Sequence, residues 1–184
     1  DFSVFRSHSS KKYVSGPLYA FSQSNLYSTG FASLALGLAR ATMTDFIDIV
    51  RDTVPRGAPK PRNENNVVQS QVGQAEARIR SCRAFLRSSL REIWSEVEKT
   101  GTVTEEQQVT IRLATTWAIQ QSREVISSLY LTAGALSIFE AQPFERRFRD
   151  IHTICQQIQG HAAHFETVGQ VLMGMEPDRS MFTF

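Results

Sequence analysis

The chain has 184 residues, 41% of them hydrophobic, which suits one well-formed core and is short for two full domains. Twenty Lys and Arg against 18 Asp and Glu leave a formal charge of +2, so the charge balance makes no case for nucleic acid or an anionic membrane surface as a partner. No window reaches the unbroken apolar length of a membrane span, and the N-terminus lacks a basic-then-apolar leader; a soluble cytoplasmic protein is expected.

The chain opens on Asp1-Phe2-Ser3-Val4 without an initiator Met, as a processed product or a fragment would. From Asp1 to Ser24 short alternations such as Phe2-Ser3-Val4-Phe5, then Ser15-Gly16-Pro17, predict a strand or two and a turn. A β segment this small cannot build its own sheet core, so residues 1–24 are expected to be the remnant of a preceding β domain.

After Asn25 the spacing becomes helical: Leu26, Phe31, Leu34, Leu38, Met43, Phe46, Ile47 and Val50 recur at steps of three, four or their sums. Gly30, Ala32, Ala35, Gly37, Ala39 and Ala41 lie among them, small enough for a second helix to approach closely. Three prolines in seven residues, Pro55, Pro59 and Pro61, then remove backbone donors and fix φ, which makes a loop. A second helix is expected from about Asn65 to Lys99, with Val68, Val72, Ala75, Ile79, Cys82, Phe85, Leu86, Leu90, Ile93 and Val97 on one face. Gly101 ends it, and Thr104 with Gln107 forms a capping box for a third helix running to about Leu131. Gly134 and Pro143 bracket a connector from Ala135 to Gln142. Phe148, Ile151, Ile154, Cys155 and Ile158 begin a last helical stretch, which His161 to Met173 either continues or follows as another helix. The resulting expectation is an all-α domain over residues 25–178, an antiparallel four-helix bundle, with an extended tail at 179–184.

Few residues carry chemistry by pattern alone. Cys82 and Cys155 sit in helix-like apolar patterns, where a buried free thiol is the common outcome. Arg56, Lys60 and Arg62 precede a long helix, where cationic side chains and free amides suit a phosphate; a solvated loop with no specific role is the competing reading. In the run Arg146, Arg147, Arg149 and Asp150, Asp150 can pair with an arginine at a helix–helix contact. His161 and His164 are three apart, but no third ligand is placed by sequence and no metal is expected. Phe31, Phe46, Phe85, Trp94 and Trp117 are expected in the core. There is no Ser-His-Asp pattern, glycine-rich phosphate loop or CxxC.

The stretch Ala133-Gly134-Ala135-Leu136-Ser137-Ile138-Phe139, followed by Pro143-Phe144-Glu145-Arg146-Arg147-Phe148-Arg149-Asp150-Ile151-His152-Thr153, and the tail segments Phe165-Glu166-Thr167-Val168-Gly169 and Gly174-Met175-Glu176-Pro177-Asp178, resemble the C-terminal domain of the acyl-CoA dehydrogenase superfamily. They are most similar to its two-component flavin-dependent monooxygenase branch. The resemblance implies a bundle that helps to bind a flavin, FAD or FMN, at a subunit interface. It also implies a homo-oligomer, dimer or tetramer, a separate flavin reductase and a small-molecule substrate. By the same resemblance Arg56 and the loop that follows, including Arg62, face the flavin, and Thr132, Ala133 and Gly134 form the turn that approaches its phosphates; Ala133 stands where the dehydrogenases have the first Gly of a pair.

The resemblance further implies that the segment after Arg149-Asp150 is the active-site segment, with His152, Gln157 and His161 as the candidates for chemistry. Monooxygenases of this branch commonly carry His where Gln157 stands, and acyl-CoA dehydrogenases carry their base near Ile158. Three readings stay open: a monooxygenase using reduced flavin and oxygen, a dehydrogenase acting on an acyl thioester, and a helical interaction module without chemistry. On the first two, this chain alone is expected to be an inactive fragment, because most of the flavin pocket in the resembling family belongs to the preceding domains.

Overall fold

The computed structural model describes residues 16–55, 57 and 59–177. These form five α-helices and four short 3-10 turns, with no strand among the described residues. The helices are α1 (Gln23–Asp52), α2 (Asn66–Thr100), α3 (Glu105–Ala133), α4 (Phe144–Gln156) and α5 (His164–Leu172). The expected β remnant falls mostly on residues 1–15, outside the described residues; what can be seen of it is a 3-10 turn at Pro17–Ala20 and the start of α1. The helix begins before Asn25 because Ser22 and Asn25 cap it reciprocally, the Asn25 amide donating to Ser22 Oγ at 3.1 Å and the Ser22 amide to Asn25 Oδ1 at 3.2 Å.

The expected starts of the next two helices hold. Asn65 caps α2 through the Val67 and Val68 amides, and Thr104 and Gln107 form the capping box of α3. All ten apolar residues expected on one face of α2 are buried or packed against the core. On α1 the pattern misleads in part: Leu26 and Leu34 are exposed, and Ala32, Ala35 and Ala39 are fully buried beside Met43, Phe46 and Val50. Ala114 and Ala118 of α3 are also fully buried in the same cluster. Small side chains on α1 and α3 let the two backbones approach closely, and the larger leucines are left outside. Trp94 and Trp117 lie at the margin instead of the core; Trp94 stacks on Phe21 at 6.0 Å.

Helix direction follows from the cross-links. Gln71 and Arg78 of α2 bond to Ser128 and Gln121 of α3, so α2 and α3 are antiparallel. Going down α3 from Tyr130 through Ser127, Gln120 and Trp117 to Val109, the partners are Phe148, His152, Gly160, Phe165 and Val168. Together α4 and α5 therefore run the length of α3 in the opposite sense. They are two helices and not one, because Gln157 is extended (φ −70°, ψ 144°) and a 3-10 turn, Ile158–Gly160, separates them. Gly160 is required there, since a Cβ would overlap the Ile154 carbonyl oxygen.

Among the described residues, no helix is long and apolar enough to cross a membrane. Cys82 and Cys155 are buried and free. Burial pushes the Cys82 thiol from an ordinary 9.0 up to about 11, and raises Cys155 for the same reason.

Three outcomes are expected. Ala35→Leu overfills the α1–α3 contact and lowers stability by about 1–3 kcal/mol, read as a drop in the thermal midpoint. The folded chain holds the Cys82 proton more tightly than the unfolded chain, so this group's contribution is intact below pH 9 and is lost as pH rises to about 11. At pH 8 both thiols resist a thiol-reactive dye until urea unfolds the chain.

Candidate functional site

The resemblance names residues far apart in sequence, and the fold brings one set of them together. After α1 the Arg62 amide donates to the Thr53 carbonyl at 2.9 Å, closing the proline-rich loop, and a 3-10 turn at Arg62–Glu64 leads into α2. This places the Arg62 guanidinium over the last turn of α3. Its Nη1 donates to the Thr132 carbonyl at 3.0 Å and to the Ala133 carbonyl at 2.8 Å, covering acceptors that a helix C-terminus leaves open. Gly134 follows at φ 61°, ψ −136°, a conformation that favours glycine, and a Cβ there would sit 3.7 Å from Arg62 Nη2. Beside this contact lies a cavity of about 690 Å³, lined by Pro55, Lys60, Arg62, Val67, Leu131 and Thr132 among others. Arg62 Nε is buried and has no hydrogen-bond partner; Lys60 is paired with Glu64 at 3.3 Å. Thus Arg62, Thr132, Ala133 and Gly134 adjoin one another, and Arg56 lies outside the described residues.

The three chemical candidates do not gather into one cluster. His152, on α4, has Nε2 3.3 Å from Ser127 Oγ of α3, and its ring packs on Phe148 at 4.4 Å, which packs on Tyr130 at 4.6 Å. Gln157 and His161 flank the turn between α4 and α5. The Gln157 Oε1 accepts from the Gln159 amide at 2.7 Å, and exposed His161 accepts at Nδ1 from the Ala163 amide at 3.2 Å. That turn meets α3 at Gln120, twelve residues before Thr132, so the two groups of candidates are about 18 Å apart along the helix axis.

Between them runs an open strip of α3. No residue of α2 lies close to α4 or α5 among the described residues, and Trp117, Glu124 and Leu131 are exposed in the gap, Leu131 by 75%. Trp117 meets Phe165 of α5 edge-on at 6.4 Å.

Other expectations need adjusting. The arginine that joins two helices is Arg147, 2.6 Å from Asp45 of α1; this is an ion pair without the alignment of a hydrogen bond, since Nη1 has no hydrogen-bond partner. Asp150 instead pairs with Arg146 one turn back on its own helix, at 3.7 Å, and Arg149 with Glu145 at 2.5 Å. Sequence reading also passed over Arg112, which is only 4% exposed on α3. It donates to Ser24 Oγ and, at 3.0 Å, to Gln159 Oε1. Burial pushes its guanidinium down to about 10, still charged at neutral pH. The available signal was a lone charge inside Val109-Thr110-Ile111-Arg112-Leu113-Ala114, where an amphipathic helix has no room for one. Among the described residues no group of three or more His, Cys, Asp or Glu is placed to hold a metal ion.

Residues 29–164 match the family described as "Acyl-CoA dehydrogenase, C-terminal domain". The chain belongs to that family. It is 22% identical over 161 residues to an indole-3-acetate monooxygenase of Pseudomonas putida, covering 88% of this chain and 41% of that protein. Its fold is similar to that of XiaF from a Streptomyces species, solved in complex with FADH2 and glycerol, with a TM-score of 0.82 at 17% identity, covering 90% of this chain and 42% of that one. It is also similar to butyryl-CoA dehydrogenase from Megasphaera elsdenii, with a TM-score of 0.65 at 19% identity, covering 82% and 37%. The chain thus spans about two fifths of the length of these relatives. The family match confirms the resemblance carried by the segments at residues 133–139 and 143–153.

Arg62→Met exposes the Thr132 and Ala133 carbonyls and is expected to destabilise the fold by about 1.5–3 kcal/mol, as befits hydrogen bonds from a charged donor. Lys60→Met, which removes an exposed pair, shifts stability by under ~1 kcal/mol. Urea unfolding of both variants checks the contrast.

Proposed function

We propose that this chain is the C-terminal part of a flavin-dependent monooxygenase, that it completes a flavin site at a subunit interface, and that it works with a separate flavin reductase on a small-molecule substrate. In this reading the domain is an antiparallel four-helix bundle whose fourth member is split into α4 and α5, and homo-oligomer contacts, dimeric or tetrameric, cover part of its surface. The carrying observation is Arg62, tied to the Thr132 and Ala133 carbonyls beside the 690 Å³ cavity.

The residues fit the anionic end of a flavin nucleotide. A bare helix C-terminus repels phosphate, and here Arg62 masks its carbonyls and keeps a buried Nε with no partner. Gly134, with no Cβ, keeps the approach clear. Arg62 would hold the phosphate, with Thr132 and Gly134 shaping the wall. When bound in reduced form, the flavin supplies the reaction with dioxygen.

The chain's own contribution to chemistry is proton handling and orientation. His152 can hold a proton at Nε2 beside Ser127 Oγ, and Phe148 shields one face of its ring. Gln157 uses Oε1 within the turn, which leaves its Nε2 hydrogens as donors. Proton abstraction next to a thioester needs a positioned base, and Gln157, Ile158, Gln159 and Gly160 include no carboxylate. This sets the dehydrogenase reading behind the monooxygenase one.

The complete subunit, supplied with reduced flavin, oxygen and an aromatic substrate, is the material for the test. Arg62→Met is expected to weaken flavin binding by ~10- to 100-fold, and His152→Ala to slow substrate oxygenation by ~100-fold or more. Bleaching of an oxidised flavin by acyl-CoA, with no oxygenation, would replace this reading with the dehydrogenase one. A complete subunit with no affinity for flavin would leave the interaction module.

A further inference from the structure

The turn at residues 157–161 carries Gln157 and His161, and its shape is fixed by α3. Inside the turn, Gln157 Oε1 accepts from the Gln159 amide at 2.7 Å and the Gln157 carbonyl from the Gly160 amide at 2.8 Å. Two acceptors remain on the core side, the Gln159 amide oxygen and the Gly160 carbonyl. Each is met by a buried α3 donor: Arg112 Nη1 at 3.0 Å and Gln120 Nε2 at 2.7 Å. Arg112 also holds Ser24 at the first turn of α1, so the turn is referenced to two helices at once. Gly160 permits the close approach to Ile154 on which this depends.

Stability alone gives no reason for this arrangement. Buried polar side chains lose hydration and regain it only if every partner is in place, and apolar side chains of similar size usually fill a core as well. A fully satisfied polar cluster has a different effect, in that it permits one geometry and penalises its neighbours. Arg112 and Gln120 stand about two turns apart on the central helix, and both bonds converge on two consecutive residues of a turn whose Ile158 carbonyl is also met by His164 Nε2 at 2.6 Å.

We propose that Arg112 and Gln120 are positioning residues that act through Gln159 and Gly160 to hold Gln157 and His161 in place for the reaction on the substrate. This rests on the monooxygenase reading. Both side chains are buried, and their donors are engaged by Gln159 and Gly160. Their work is to keep the Gln157 amide and the His161 ring at a fixed height on α3, in a catalytic segment that is not part of a continuous helix. Small misplacement of such groups slows a reaction steeply.

The experiment compares Arg112→Met, Arg112→Lys and Gln120→Leu in the complete subunit, reading amide exchange of residues 157–164, thermal midpoint, and kcat and KM for the oxygenated substrate. Arg112→Met and Gln120→Leu are expected to exchange faster across residues 157–164 and to lose ~10- to 100-fold in kcat with KM within about twofold. Arg112→Lys, which keeps a donor, restores most of both. Should Arg112→Met fail to fold, Gln120→Leu and Arg112→Lys decide. Unchanged kcat in folded Gln120→Leu overturns the proposal, as does a loss that merely follows the thermal midpoint. A wild-type subunit that binds no flavin and oxygenates nothing rejects the functional reading on which the proposal stands, whereas an active wild type with active variants rejects the proposal alone.

Discussion

The burial of α3 on almost every side is the constraint on which the rest of the structure depends. A surface helix hides one stripe of side chains, but α3 faces α1, α2, α4 and α5, and its polar positions Arg112, Thr115, Thr116, Gln120 and Ser122 are buried along with its aliphatic ones. A helix enclosed in this way must satisfy its polar side chains internally. Thr115 and Ser122 do so by bonding back to carbonyls one turn earlier, whereas Thr116 Oγ1 is buried without a hydrogen-bond partner. Arg112 and Gln120 reach outward instead, tying α3 to the first turn of α1 and to the turn between α4 and α5.

The same dependence positions the candidate site. Its proposed cofactor end is the C-terminus of α3, where Arg62 arrives from a loop some seventy positions earlier in sequence to cover two carbonyls. Its proposed chemical end is the turn beside Gln120, with His152 and Ser127 between the two. Because α2 and α4–α5 stay apart, α3 keeps one strip uncovered. In the proposed reading, one rigid element would support both the anionic and the reacting portions of a ligand. Leu131 and Trp117 are exposed on that strip.

Local patterns revealed elements well where one face is apolar and one polar. The α2 face and the Thr104–Gln107 cap could be read directly because period and capping chemistry are local. On α1, hydrophobicity ranked Leu26 and Leu34 above the alanines, yet the close α1–α3 approach selects for size, and that depends on a partner 80 residues away. No proline marks the break at Gln157 in the sequence; a side-chain bond from Gln157 and the absence of a Cβ at Gly160 make the turn. Asp150 does pair with an arginine of its run, but within α4, and the pair between helices goes to Arg147 and Asp45, since sequence gives no distance to Asp45. At the site, Thr132, Ala133 and Gly134 came from family resemblance; composition and spacing alone left Arg62 as one of three basic loop residues. Arg112 and Gln120 went unnoticed because their meaning lies entirely in what they touch.

If α3 is the element on which the others are built, its central backbone should be the last to open. Native-state hydrogen exchange under increasing urea measures this directly. The expected result is that amides at residues 114–129 exchange only through global unfolding, with a urea dependence equal to that of the whole transition, while residues 134–143 and α5 exchange through smaller openings. Exchange of the α3 centre by a local opening, while α1 and α2 remain protected, would contradict the account.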